Sequence, residues 1–129
     1  RGQRLVVVDD SIVRGNTQRA LVRMLRGAGA LEVHVRISSP PIRWPCYYGI
    51  DFASRAELIG DGLDVDGVRA SIGADTLGYV SLDGLIAASE QPKTRLCRAC
   101  FDGHYAIAAP DEELAGKCVR EALPSSPDC

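Results

Sequence analysis

The stretch Leu5-Val6-Val7-Val8-Asp9-Asp10-Ser11-Ile12-Val13-Arg14-Gly15-Asn16-Thr17 decides the fold class. Leu5 to Val8 is an unbroken apolar, largely β-branched run, the pattern of a strand buried on both faces in the middle of a parallel sheet. Two carboxylates close the strand, and a loop containing one glycine follows. A helix is expected from about Gln18 to Arg26, with Thr17 as its N-cap and Gly27 or Gly29 as its stop. Ala20, Leu21, Met24, Leu25 and Ala28 form its expected apolar face, with Arg19, Arg23 and Arg26 off that face. Glu32 to Ile37 reads as a second strand. Strand, crossover helix and strand over this distance make a βαβ unit with parallel strands, so the class is α/β.

Beyond this unit the pattern weakens. Ser38-Ser39-Pro40-Pro41 ends it, and Ile42 to Asp51 reads as irregular, broken by Pro45 and Gly49. Ser54 and Glu57 have capping-box spacing, which predicts a short helix through Ile59. Gly60 to Gly67 reads as loop, Val68 to Ile72 as a short helix, and Gly78 to Ser81 as a weak third strand. Ser81 is placed to cap a helix over Leu82 to Ala88. The segment after Pro110 is acidic, then rich in Pro and Ser, and is expected to fray. So few strands around an apparently central one suggest a piece of a longer polypeptide.

Composition narrows the class. The 129 residues are 46% hydrophobic and 25% charged, with a formal net charge of −2, which fits one soluble domain and excludes a disordered charged tail. At a pI near 5.6 there is no electrostatic footprint for nucleic acid or an anionic membrane. No apolar run spans a bilayer and no signal peptide opens the sequence, so a cytoplasmic location is expected. Five cysteines are too few for a disulfide scaffold, and metal ligation is the better default for a reducing compartment.

The chemistry concentrates where the first strand runs into the helix, the place where open α/β sheets hold ligands. A glycine-containing turn with hydroxyl and amide side chains at a helix start is a phosphate cradle, because backbone N–H groups and the helix dipole favour an anion. Ser11, Gly15, Asn16 and Thr17 supply its small or hydrogen-bonding positions. Asp9 and Asp10 repel phosphate but suit Mg²⁺ or paired sugar hydroxyls. Together these groups point to a phosphorylated sugar held with Mg²⁺. Adjacent acids also occur in receiver domains. That arrangement needs a later Asp and a Lys at strand ends, and the only lysines, Lys93 and Lys117, follow no convincing strand.

Cys97-Arg98-Ala99-Cys100 forms a C-x-x-C pair, and Cys46 lies in the irregular loop. Soft thiolates at this spacing suit zinc, an iron–sulfur cluster or a redox disulfide. Zinc and iron–sulfur centres both take four ligands, and the pattern alone leaves the choice open, with inert cysteines as a further possibility. His34 inside a strand reads as packing, and His104 as an exposed loop residue. Trp44, Tyr47, Tyr48 and Phe101 are expected to pack over the loops. Arg14 is the basic residue best placed to meet a substrate.

Val6 to Thr17 resembles the phosphoribosyl pyrophosphate (PRPP) motif of type I phosphoribosyltransferases. Ile37-Ser38-Ser39-Pro40-Pro41, Pro45-Cys46-Tyr47-Tyr48-Gly49-Ile50-Asp51 and Cys97-Arg98-Ala99-Cys100-Phe101, in that order, narrow the likeness to the amidophosphoribosyltransferase family over roughly Arg1 to Pro110. Asn16 is the one departure, standing where the family more often has Thr. The resemblance implies an incomplete C-terminal part of a type I phosphoribosyltransferase fold, a parallel sheet flanked by helices, over residues 1–109, with a tail over 110–129. It implies that Asp9 and Asp10 bind Mg²⁺ and the ribose hydroxyls of PRPP. Ser11, Ile12, Val13, Arg14, Gly15, Asn16 and Thr17 would hold the 5′-phosphate. It makes Cys46, Cys97 and Cys100 three ligands of a structural [4Fe–4S] cluster whose fourth ligand lies upstream, leaving Cys118 and Cys129 as free thiols. The reaction implied is transfer of glutamine-derived ammonia to PRPP at the start of purine synthesis, by an oligomer, a tetramer in the family, with an N-terminal glutaminase domain. The 129 residues alone are then expected to be inactive and poorly stable. The alternative is a non-catalytic module, either a receiver-like Mg²⁺ domain or a zinc-stabilised regulatory one.

Overall fold

A computed structural model describes residues 1–50 and 54–107. The expected tail over 110–129, with Cys118 and Cys129, lies outside the described residues, as does Asp51. The chain folds as β1 (Arg4–Asp9), α1 (Asn16–Gly27), β2 (Glu32–Ile37), α2 (Ile59–Gly62), α3 (Val65–Ile72), β3 (Thr76–Tyr79), α4 (Leu82–Ser89) and α5 (Ala99–Asp102). One-turn 3₁₀ segments sit at Arg55–Glu57 and Lys93–Arg95. The three strands form one parallel sheet in the order β1-β2-β3, so the expected α/β class with a parallel sheet holds.

The position expected for β1 does not. Among the described residues β1 pairs only with β2, at the edge of the sheet, and β2 is central. Val6 and Val8 are 65% and 70% exposed, while Leu5 and Val7 turn inward. An apolar run shows that a strand tolerates burial on both faces but not which neighbour covers it. β2 is the strand buried in alternation, with Val33, Val35 and Ile37 nearly inaccessible. They pack with Ile12, Val22, Val68, Ile72 and Ala74 into one core between the sheet and the pair α1 and α3.

Helix α1 turns a different face inward from the one expected. Gln18 and Val22 are its buried residues, and Leu25 packs against the core. Those positions recur at four and three residues, whereas Ala20 and Met24 lie on another side and Met24 is 62% exposed. The β-branched Val22 outranks the longer Met24 because it faces β2. Arg19 and Arg26, off the expected face, are both engaged by partners. Arg19 donates from Nε to the Ser71 carbonyl at 3.0 Å and from Nη2 to the Ser71 hydroxyl at 2.9 Å, joining α1 to α3. Arg26 bridges to Asp75 and to the Leu31 carbonyl.

The middle of the chain is more helical than its glycines suggest. Asp64 caps α3 by accepting from the Gly67 N–H at 2.7 Å, so the helix begins at Val65 inside the stretch expected to be loop. α2 covers part of the same stretch. The Ser54 hydroxyl meets the Glu57 carboxylate at 3.3 Å and no backbone N–H, and the expected helix is only a 3₁₀ turn. The third strand is Thr76–Tyr79, two residues earlier than expected. Ser81 caps α4 as expected, accepting from Gly84 N–H at 3.1 Å. His34 is tied on the sheet between Thr76 Oγ1 and Glu32 Oε2, at 2.9 and 3.0 Å, in keeping with a packing role.

Asp75 closes the sheet's lower edge. Its backbone N–H donates to the Val33 carbonyl, and its carboxylate accepts from the Val33 N–H at 2.6 Å and from Arg26. The Val33 N–H, followed by Arg26, holds this carboxyl below the usual 3.8 against the opposing effect of burial. A depressed carboxyl stabilises the fold above its unfolded pKa, and that contribution is lost as pH falls through the folded value. Asp75→Asn is therefore expected to lower the melting temperature at neutral pH and to converge with the parent in acid. Thermal denaturation of both across pH checks this, and a constant gap would contradict it.

Candidate functional site

The loop between β1 and α1 is bent by Gly15, which precedes the helix at φ 75° and ψ 0°. L-residues other than Gly enter this region at a cost of about 1–2 kcal/mol. Space is short as well, since a Cβ at this position would lie 2.8 Å from Ile59 Cδ1. Gly15, and not the expected Thr17, is the N-cap, and no side chain caps the helix. The N–H groups of Asn16, Thr17 and Gln18 precede the first intrahelical donor, the Arg19 N–H bonded to the Gly15 carbonyl, so they remain available to an anion. The first turn carries no acidic residue, which leaves the positive end of the helix dipole uncancelled.

An open cavity of about 450 Å³ lies at this end of the sheet, lined by Asp9, Asp10, Ser11, Val13, Arg14, Gly15, Asn16, Thr17 and Gln18. Eight of the nine residues expected to bind substrate therefore meet in one place. The exception is Ile12, which is 1% exposed and belongs to the core. Its side chain pins the loop from below, leaving it only backbone groups to offer a ligand. Behind the loop the Ile59 N–H donates to the Val13 carbonyl at 2.9 Å. Arg14 stands 3.7 Å from Glu57, both about half exposed, a pairing too weak to hold it away from a ligand. Arg19 Nη1 donates to Asn16 Oδ1 at 3.0 Å, leaving the Asn16 amide hydrogens for another acceptor. Asn in place of Thr thus keeps a donor at the cradle.

The two carboxylates are held differently. Asp9 accepts from the Asp10 N–H at 2.9 Å on Oδ1 and from Gln18 Nε2 at 2.7 Å on Oδ2. Asp10 is exposed and, among the described residues, accepts only from the Ser11 hydroxyl, at 2.8 Å. Adjacent oxygen donors facing an open cavity fit Mg²⁺, which keeps waters and takes one or two carboxylates together with substrate oxygens. Gln18 was not legible as part of this site. Its signal is a polar residue in register with Val22 and Leu25 on the buried side of α1.

Cys46, Cys97 and Cys100, the described cysteines, lie away from this cavity. Cys100 sits on α5, so its pair is partly helical although the sequence showed no such pattern. Its carbonyl accepts from the N–H groups of Arg43 and Trp44, at 3.0 and 3.1 Å, which brings the Cys46 loop against α5. Tyr105 donates to the Pro45 carbonyl at 2.7 Å, and its ring packs on Tyr47 and Tyr48 with centroids 5.2 and 6.1 Å apart. Trp44 lies under Gly103, where a Cβ would be 2.8 Å from its ring. Of the expected aromatic residues, Trp44, Tyr47 and Tyr48 thus pack around this loop, joined by Tyr105, which was not expected there. Burial, then the neighbouring Cys46, Cys97 and Asp102, push the Cys100 thiol up to about 11. Among the described residues no three His, Cys, Asp or Glu side chains converge to grip a metal ion. His104 is exposed, and its N–H donates to Asp102.

Among the described residues no helix is long and apolar enough to cross a membrane. No family model matches the chain. It is 66% identical over 128 residues to the amidophosphoribosyltransferase of Mycobacterium tuberculosis, covering 95% of this chain and 24% of the relative. The amidophosphoribosyltransferase of Drosophila melanogaster is 46% identical over 121 residues, covering 86% and 22%. Among solved structures, glutamine PRPP amidotransferase from B. subtilis, complexed with ADP and GMP, superposes with a TM-score of 0.77 at 50% identity, over 84% of this chain and 25% of that one. The chain thus spans about a quarter of the length of the curated relatives it matches.

Proposed function

We propose, from the premise that this chain is homologous to a quarter-length segment of amidophosphoribosyltransferases, that it supplies the PRPP-binding loop of such an enzyme. The observation that carries this reading is one cavity lined both by two carboxylates and by an uncapped helix start. That is the complement of a sugar phosphate: hydroxyls and a cation at one end, an anion at the other. Asp9 and Asp10 hold Mg²⁺ and the ribose hydroxyls, and Ser11 to Thr17 hold the 5′-phosphate, Ile12 through its backbone alone. The reaction class is pentosyl transfer, in which ammonia derived from glutamine forms the new bond to ribose C1 and pyrophosphate leaves with its electron pair. Bound Mg²⁺ would neutralise charge on the pyrophosphate. The chain's own part is positioning, with loop amides and Arg14 fixing the substrate's charged groups.

Residues 1–109 form the phosphoribosyltransferase part in this reading. The full protein adds a glutaminase domain that delivers ammonia, works in the cytoplasm and assembles as a homo-oligomer, a tetramer by family likeness. Cys46, Cys97 and Cys100 serve as ligands of a [4Fe–4S] cluster completed by a thiolate outside this chain. The family likeness favours a cluster over zinc, and thiolates are the usual ligands of such a cluster. The Arg43 and Trp44 N–H groups on the Cys100 carbonyl support the grouping, since they bring the Cys46 loop against α5.

The test is calorimetric titration of the full protein with PRPP, with and without Mg²⁺. Binding that depends on Mg²⁺ is expected, and no binding in either condition would overturn the reading. Iron and sulfide analysis of anaerobically purified protein checks the cluster, with zinc at one per chain as the opposing result.

A further inference from the structure

The geometry points to Gln18 as a positioning residue that aims Asp9 at the substrate, a role that rests on the PRPP reading above. Gln18 is 6% exposed, the one buried polar residue among those described. Its Nε2 donates to Asp9 Oδ2 at 2.7 Å and to the Ser11 carbonyl at 3.2 Å. One buried amide therefore ties the end of β1 to the start of the loop and to the first turn of α1. The amide must present nitrogen here, because its oxygen would face two acceptors. Together with the Asp10 N–H on Oδ1, this contact fixes both oxygens of Asp9.

The chemistry of the donor matters. A Lys or Arg at position 18 would orient Asp9 but cancel its charge and compete with a cation. Glutamine donates without charge, so Asp9 stays a full anion while its direction is set. The contact is also dry on the protein side, where hydrogen bonds to charged groups count most. Charged groups around position 18 are Asp9 and Asp10 at the end of β1, Arg14 in the loop and Arg19 on α1.

Two variants test this in the full protein, with PRPP affinity measured in the presence of Mg²⁺. Gln18→Leu keeps the buried bulk and removes both donors, and is expected to weaken PRPP binding by roughly tenfold or more. Gln18→Met also removes the donors but keeps an unbranched side chain of similar length, so it serves where Gln18→Leu fails to fold. In both variants the Mg²⁺ concentration that half-saturates PRPP binding is expected to rise, because a misdirected Asp9 holds the cation less well. A merely structural role would lower PRPP affinity without moving that Mg²⁺ midpoint, and an unchanged midpoint overturns the proposal. Parental affinity in both variants overturns the role of Gln18 alone. No PRPP binding by the parent overturns the cradle reading and this role with it.

Discussion

Replacing Asp9 and Asp10 together by Asn is expected to weaken Mg²⁺-dependent PRPP binding by two to four orders of magnitude. Each carboxylate supplies charge-assisted contacts, worth roughly 1.5–3 kcal/mol apiece, and the pair is worth about 3–6 kcal/mol where both meet the ligand. The single variants separate binding from folding. Among the described residues Asp10 accepts only from the Ser11 hydroxyl, and Asn at that position accepts the same bond, so Asp10→Asn is expected to lose affinity with little change in melting temperature. Asp9 accepts on both oxygens, from the Asp10 N–H and from Gln18. Asn has one acceptor, so Asp9→Asn turns its NH₂ toward one of these donors and is expected to lose stability as well as affinity. Isothermal titration with PRPP and Mg²⁺, paired with thermal denaturation, reads both effects. Parental affinity in the double variant would remove the carboxylates from the site.

The loop between β1 and α1 was legible because its signals are local. An apolar run, two acids, a glycine and a helical pattern follow one another within a few residues, and each is set by backbone or solvent preferences that act at short range. The Ser81 cap was readable for the same reason. What depends on distant neighbours was not. The Leu5–Val8 run suits a central strand, yet β1 lies at the edge among the described residues because β2 alone pairs with it. The face drawn through Ala20, Leu21, Met24, Leu25 and Ala28 left out Val22, and only the packing of α1 on the core settles that Val22 faces inward. Glycines at 60, 62 and 67 masked α2 and the start of α3, whose Asp64 cap outweighs their low propensity. Gln18 was missed because a polar residue in a first helical turn ordinarily faces water. Its partner Asp9 lies nine residues back and meets it only after the loop has closed. For the cysteines, spacing marks soft ligands, but only the fold shows Cys46 brought to α5 by the Cys100 carbonyl.

Ile72→Ala is expected to cost about 2–5 kcal/mol of stability, the range for emptying a buried aliphatic site that cannot collapse. Ile72 is 1% exposed and packs in the core with Ile12, Val22 and Val68. Its position makes the effect functional as well. Ile72 Cγ2 lies 3.6 Å from the point where a Cβ on Gly15 would stand, so this side chain is the floor of the turn that bends the substrate loop. Ile12 holds the same loop from its other end, and both belong to one core. Removing the floor leaves the Gly15 turn supported on one side only, and the amides of α1 lose their fixed direction. Ile72→Val removes a single methylene, so it is expected to cost about 0.5–1.5 kcal/mol and to leave the loop seated. Urea denaturation of the full protein ranks the two, and PRPP affinity measured well below each unfolding transition reads the loop. A weaker affinity in folded Ile72→Ala, with Ile72→Val near the parent, would show that the cradle is positioned by the core beneath it. Equal affinity in all three would show instead that the loop's own hydrogen bonds, those of Gln18 and the Ile59 N–H, suffice to hold it.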